Sequence, residues 1–333
     1  MSTIVDIANA LGVSPSTVSR ALKDHPYISQ ATKDKVKKTA AKMGYRRNTL
    51  AAGLRNRHSN TVGLIVPRIS MYFQSAVITA IQNTVHSMGF NLIICQSNDS
   101  YPLEVELVNA LYGSRVEGLI TSCTIHTTDF SHFNIFTENQ IPLVFYDRVP
   151  RNFPAQIVRG DDFQGGYKVG KYLLEKGCRD IVYINGLLTC NLYQDRLSGL
   201  KAALREARIT LKKSRTFSHE LTAANAEKIC EKIFAKEPWP DAIFCANDTT
   251  AISVLQTARS LGLHVPRKLK IVGYSNDPRT QIISPSITSV EQFPAEVGTR
   301  AARALIESIQ RKNAPRKPAE ITIPVELITR ESS

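Results

Sequence analysis

The residues able to do chemistry in this 333-residue chain fall into two sets. The first is Ser14, Pro15, Ser16, Thr17, Ser19 and Arg20, crowded into seven positions. An arginine on a short helix can donate two parallel hydrogen bonds to guanine O6 and N7, and Ser and Thr hydroxyls suit phosphate oxygens. The second set is a series of polar residues that follow short apolar runs: Arg68 with Tyr72 and Phe73, Asn98-Asp99, Asp147-Arg148, Asn247-Asp248, and Ser275-Asn276-Asp277. Amides, carboxylates and aromatic rings in that mixture hold a small hydroxyl-rich molecule by planar hydrogen bonds and ring stacking. Asp248 and Asp277 read equally well as helix N-caps. Bond-breaking chemistry is not indicated. The chain has no G-x-S-x-G, no P-loop and no G-x-G-x-x-G behind a strand, and its seven His and six Cys are dispersed. The expectation is no catalytic residue, no metal site and no cofactor. The stretch "QGGYKVGK" (164–171) has the wrong spacing for a phosphate loop and reads as a helix start.

The first set must sit on helices, and the local signals place them. Thr3-Ile4-Val5-Asp6 is a capping-box start, Ile7, Ala8 and Leu11 form an apolar stripe, and Gly12 can end the helix in a left-handed conformation. Ser14 is a good N-cap, and Pro15 suits the first helical position because its missing N–H would be unpaired anyway. Val18 and Leu22 then face inward, with Pro15, Ser16, Thr17, Ser19 and Arg20 outward. Ser29 caps a third helix that runs to Met43, with Gly44 at its end. Helix, three-residue turn, helix is the arrangement that places a second helix in the DNA major groove, although short helical hairpins with glycine turns also arise without that role.

Charge favours the nucleic-acid reading. The net charge is +13, and residues 1–58 carry 11 Lys/Arg against 3 Asp/Glu, whereas the remaining residues are nearly balanced at 31 against 26. A basic, capped, periodic segment points to phosphate backbones or anionic surfaces rather than to a solubilising tail. The chain contains no run of 18 apolar residues, and the N-terminus has no basic, apolar, small-residue sequence of a secretory signal, so a membrane span and export are not expected. The cysteines, mostly in apolar runs such as "NLIICQ" and "AIFCAN", read as buried free thiols of a reducing compartment.

"IVDIANALGVSPSTVSRALKDHPYIS" closely resembles the N-terminal signature of the LacI/GalR family of bacterial transcription repressors, D-x-A-x-x-x-G-V-S-x-x-T-V-S-R-x-L, with a dense match over residues 3–29. The resemblance implies base reading by Pro15, Ser16 and Arg20 and phosphate contacts by Thr17, Ser19 and Tyr45, with Ser14 capping that helix in the same DNA-binding set. Lys23 replaces a frequent Asn, which implies a different preferred operator. In the next segment Asn48 can cap a short helix bearing Leu50, Ala51 and Leu54, flanked by Arg55 and Arg57. By the same resemblance this is a hinge helix that lies in the minor groove, with Ala51, Leu54 and Arg55 at the DNA and Leu54 wedged between base pairs. About nine residues with an internal Gly53 are too few for a helix stable alone. The plain alternative is an interdomain linker.

The second set needs a different scaffold. From Thr61 onward, apolar runs such as "VGLIV", "GLITSC", "PLVFYD", "IVYING" and "KIVGYS" alternate with 10–18 residues of helical periodicity, and the pattern restarts near Asp161. Repeated strand–helix units imply parallel sheets covered by helices, here two lobes, with ligands bound outside the carboxyl ends of the strands. This region resembles the effector domain of the same family, similar to periplasmic sugar-binding proteins. The resemblance places Asp147, Arg196, Asn247 and the "GYSND" loop, with Ser275 and Asn276, at ligand-contacting positions, and Phe73, beside Tyr72, near the first-lobe contacts. Ser275 stands where an aspartate is common.

The fold expected is thus a small all-α helix-turn-helix DNA-binding domain (1–46), a hinge helix or linker (47–60), and an α/β two-lobed periplasmic-binding-protein-like domain (61–333) with two doubly wound parallel sheets. Lobe 1 would take about 61–160 and 292–320, and lobe 2 about 161–291 and 321–333. The function expected is a DNA-binding transcription regulator, a repressor by family default. Its partners would be double-stranded DNA with a pseudo-palindromic operator and a small, sugar-like effector. With only three residues after Arg330 and no heptad tail, a homodimer is expected rather than a coiled-coil tetramer, in the bacterial cytoplasm on the nucleoid. The alternative is a solute-binding protein for sugar transport, which would require export.

Overall fold

A computed structural model describes residues 2–45, 59–311 and 319–333 of the chain, which divides into two compact units, 1–59 and 60–333. The first unit holds three helices, α1 (Ile4–Leu11), α2 (Pro15–Ala21) and α3 (Gln30–Lys42). The capping box forms: Thr3 Oγ1 accepts from the Asp6 N–H at 3.2 Å, and Asp6 accepts from the Thr3 N–H at 2.8 Å. Gly12 ends α1 at φ 63°, a left-handed conformation that costs glycine nothing. Ser14 then accepts from the Thr17 N–H, and Pro15 opens α2. Ile7, Ala8, Val18, Ala21, Val36 and Ala40 close a small core, with Leu22, Ile28, Met43 and Tyr45 packed around it.

The second unit contains two sheets. Six strands form the first: β1 (Thr61–Val66), β2 (Asn91–Gln96), β3 (Leu119–Thr121), β4 (Leu143–Tyr146), β5 (Gln156–Gly160) and a late strand, β11 (Glu320–Ile323). Their order is β11-β5-β4-β3-β1-β2, parallel throughout. The second sheet takes β6 (Ile181–Asn185), β7 (Thr216–Ser218), β8 (Ala242–Cys245), β9 (Lys270–Tyr274), β10 (Thr288–Glu291) and β12 (Glu326–Ile328), in the order β12-β10-β9-β8-β6-β7. One departure from two parallel sheets is the edge pair β10–β12, which is antiparallel. The cause is geometric. The two sheets turn their carboxyl ends towards a common cleft, and only Pro324 and Val325 separate β11 from β12. A chain leaving the first sheet at that end enters the second against the run of its strands, and parallel return would need a crossover of a dozen residues.

Helices cover both faces. Tyr72–Ser87 (α4) lies against Pro294–Gln310 (α12), where a Cβ on Gly298 would come within 2.6 Å of the Val77 carbonyl. Asp162–Glu175 (α7) and Asn191–Glu206 (α8) approach more closely still: a Cβ on Gly199 would lie 1.9 Å from the Phe163 carbonyl, and one on Gly166 would lie 2.0 Å from that of Arg196. The glycines of "QGGYKVGK" therefore belong to a helix and serve helix packing, not phosphate binding. All six thiols are free, five of them buried. Burial pushes Cys230 up to about 11, so it is inert at neutral pH. No helix among the described residues is long and apolar enough to cross a membrane.

Candidate DNA-reading helix and interlobe cavity

On α2 the apolar side chains Val18 and Ala21 are buried, Pro15, Ser16 and Arg20 are exposed, and Thr17 and Ser19 are half-buried. Ser14 Oγ lies 2.8 Å from both Ser16 Oγ and Thr17 Oγ1, so three hydroxyls cluster at the helix start. Unpaired N–H groups at such a terminus, with hydroxyls around them, suit a phosphate. Arg20 makes no side-chain hydrogen bond or ion pair among the described residues and projects from the opposite end of the same short helix. Tyr45 is half-buried against the core, its N–H bonded to the Ala40 carbonyl at 2.9 Å. Ala51, Leu54 and Arg55 lie outside the described residues.

In the second unit a cavity of about 350 Å³ opens between the lobes, at the carboxyl ends of both sheets. The first lobe contributes Arg68, Ser70–Phe73, Asp99, Ile125 and Arg148; the second contributes Gly186, Leu187, Tyr193, His219–Ala223, Asn247–Thr249, Ser275, Asp277 and Arg279. Asp99 organises the first wall. Its Oδ2 accepts from Arg68 Nε at 2.9 Å, and its Oδ1 accepts from Arg148 and from the Ile125 N–H. Burial opposes its charge, but the two arginines outweigh that and hold the carboxyl below its usual range.

The second wall is tied into its own lobe. Asn247 caps the helix Asp248–Ser260, accepting from the Thr250 N–H at 2.9 Å, and its amide donates to the Leu221 carbonyl at 3.0 Å. Asp248 accepts from Ser289 Oγ and the Asp277 N–H, both at 2.7 Å, and burial pushes its carboxyl up to about 6. Ser275 donates to Gln292, and Asp277 holds Arg279 through two bonds of 2.6 and 2.9 Å. The lobes also touch directly: the Val149 N–H donates to Asn191 Oδ1 at 3.0 Å, Arg151 and Arg159 pair with Asp195, and His126 faces Glu220 at 3.5 Å.

Of the seven residues singled out for the effector, Tyr72, Phe73, Asn247 and Ser275 line the cavity, and Asp147, Arg196 and Asn276 do not. Asp147 sits at φ 59°, outside the lining, with its carboxylate against Gln74 at 3.2 Å. Burial pushes that carboxyl up to about 6, Arg148 opposing and Asp162 adding to the shift. Arg196 is turned into its own lobe: it donates to Asp162 and to the Ala246 carbonyl, each at 2.8 Å, and lies 3.6 Å over the Tyr274 ring. Asn276 (φ 48°) donates to Glu291 and accepts from Arg330. The strand-end pattern had already pointed to Arg68, Asp99 and Arg148. Tyr193, the His219–Thr222 loop and Arg279 were missed; Tyr193, three residues before Arg196 on one helix, was within reach of helical spacing.

Comparison with known proteins agrees with both units. Residues 3–48 match the model of bacterial regulatory proteins of the lacI family, and residues 171–333 match a periplasmic binding protein-like domain. The HTH-type transcriptional repressor PurR of Vibrio atlanticus (strain LGP32) is 29% identical over 321 residues, covering 96% of each chain. That of Vibrio vulnificus (strain CMCP6) is 29% identical over 332 residues, covering 100% of this chain and 98% of the relative. Among solved structures, the complex of the transcriptional regulator CelR with cellobiose matches with a TM-score of 0.76, 25% identity and full coverage of both chains. The lac repressor dimer bound to operator and the anti-inducer ONPF shares the fold at a TM-score of 0.87, with 22% identity over 99% of this chain and 98% of that one.

Proposed function

From the match of residues 3–48 to the lacI family of bacterial regulatory proteins and the likeness to PurR repressors along the chain, we propose that this protein is a transcription repressor of that family whose hold on a pseudo-palindromic DNA site is set by a small molecule bound between its lobes. The observation that carries the reading is the second helix of the N-terminal unit. Its buried side holds Val18 and Ala21, while Ser16 and Arg20 are free for DNA. Arg20 reads a guanine edge; the Ser14–Ser16–Thr17 hydroxyls and the helix terminus grip a phosphate and set the register. Pro15 has no N–H to give, so it contributes shape and apolar contact. Ala51, Leu54 and Arg55 belong to the proposal through the family resemblance, as minor-groove contacts.

A dimer is supported by the operator-bound lac repressor dimer, and a sugar-like effector by the CelR complex with cellobiose. A protein acting on chromosomal DNA works in the bacterial cytoplasm, at the nucleoid. A ligand that bridges the two walls of the cavity favours one lobe arrangement, and coupling of about 1–3 kcal/mol between ligand and DNA sites suffices for a switch.

The test is selection from a random duplex pool with the full chain, followed by affinity measurements across salt. A selected two-fold site, with log affinity falling steeply against log salt, is the expected result. Arg20→Gln should cost about 1–3 kcal/mol at one base position of each half-site and relax specificity there. Failure to select any sequence at moderate salt overturns the reading.

A further inference from the structure

The two walls of the cavity differ in what they leave unfilled. On the second wall most polar groups are committed, the Tyr193 hydroxyl and His219 Nε2 excepted. Asn247 and Thr222 cap helices, Ser275 bonds Gln292, Asp248 accepts from two partners, and Asp277 is taken up by Arg279. On the first wall Arg68 donates to Asp99 only through Nε, and Arg148 only through one terminal nitrogen. The remaining N–H groups of both guanidiniums make no side-chain bond among the described residues. Asp99 is thus a shared carboxylate that fixes two cations and leaves each one's other donors free. Asp147 offsets charge behind Arg148, but it does not line the cavity and offers no acceptor to it.

Further free donors face the same space. The helix Tyr72–Ser87 begins at the cavity with no side-chain cap on its first-turn N–H groups, in contrast to the helices Ala223–Phe234 and Asp248–Ser260 opposite. The Tyr72 and Tyr193 hydroxyls have no hydrogen bond among the described residues; the buried His219 Nε2 also has no partner, but as Nδ1 donates to the Glu220 carbonyl it is an acceptor. Glu220, the lining carboxylate that no arginine or backbone N–H engages, is turned to His126. The charged donors left over on the first wall are those of Arg68 and Arg148.

We infer that the effector is an anion whose carboxylate or phosphate oxygens sit against Arg68 and Arg148 on the first-lobe wall, with its uncharged part towards Tyr193 and the second wall. The inference rests on the reading of this cavity as the effector site. A planar guanidinium already oriented by a carboxylate presents paired donors that match carboxylate and phosphate oxygens. Asp99 is then a positioning residue. A neutral polyol would leave the surplus donors without charged partners.

Two matched series test this on the full chain by thermal shift and calorimetry: glucose, glucuronate and glucose 6-phosphate; ribose and ribose 5-phosphate. At least one charged member should bind about tenfold or more tightly than its neutral parent. Glucuronate and glucose 6-phosphate separate the carboxylate from the phosphate source. Arg68, with its side chain nearly half exposed, can be replaced without unfolding the lobe. Arg68→Gln should abolish the charged member's advantage, and Arg68→Lys should restore part of it. Neutral parents that bind as tightly as their charged partners overturn the anion and keep the cavity as effector site. A gain that survives Arg68→Gln, or silence from every charged member, also overturns it. Failure of the DNA selection falls instead on the regulator reading.

Discussion

The two lobes follow one plan, six strands with the same winding and helices on both faces, yet they spend their buried charge differently. In the second lobe Arg196 and Asp162 meet at 2.8 Å with side chains 4% and 2% exposed, outside the cavity lining, and tie α7, α8 and β9 together. In the first lobe the comparable pair, Arg148 and Asp99, sits in the cavity wall and shares its carboxylate with the half-exposed Arg68. The same ion pair thus serves as an internal tie in one lobe and as a presentation device in the other. A guanidinium held by a carboxylate, a carbonyl and an aromatic face inside one lobe is kept off the cavity lining; one held from a single side at the wall has donors to give there.

The contrast can be broken by mutation. The largest effect is expected for Asp162→Asn, which strands a buried guanidinium and should cost about 3–5 kcal/mol in urea unfolding of the second unit. Asp99→Asn should cost less, about 2 kcal/mol, because Arg68 is free to re-solvate. If the two costs come out equal, the division between tie and presenter is wrong.

Asp147 sharpens the comparison through pH. Its folded carboxyl is pushed up to about 6, above the value of about 3.9 for an unfolded Asp. Its contribution is therefore fully present below about pH 4 and is lost as pH rises through 6. Wild type should weaken between pH 4 and 7.5, and Asp147→Asn, which keeps the Gln74 contact, should remove part of that decline and be more stable at pH 7.5 by about 1–2 kcal/mol. Chemical denaturation across that range checks the sign; Asp248, shifted in the same direction, leaves a residual slope. The smallest effect belongs to the N-terminal unit, where Ser14→Ala should cost about 1 kcal/mol through loss of the N-cap bond to Thr17 and weaken DNA binding alongside it.

What could be read in advance follows the range of the interactions involved. Thr3, Asp6, Gly12, Ser14 and Pro15 act within four residues of themselves, so the first two helices and the turn between them were legible. The alternation of apolar runs and amphipathic stretches announced the lobes for the same reason. The cavity depends on long-range facts. Asp147 was favoured over Arg148, but its left-handed backbone breaks the alternation of β4 and leaves the arginine on the wall. His219–Thr222 follows the three-residue strand β7, too short to show a period, and is brought into place only by pairing with β6. The antiparallel β12 likewise depends on how two sheets face each other, which no local pattern encodes.

The left-handed residues at the strand ends have a consequence for how such a site changes over time. Asn98, Asp99, Asp147 and Asn276 all hold φ between 48° and 59°, a region that Asn and Asp enter more readily than other side-chain-bearing residues. Asp and Asn are nearly the same size and exchange by swapping one oxygen for an amino group. Each of these positions can gain or lose a full charge while the loop stays as it is, whereas a branched or bulky replacement would strain the backbone first. Asp99 lines the cleft and the other three stand at strand ends outside its lining, so the charge at and behind its wall can be reset one position at a time on a fixed frame.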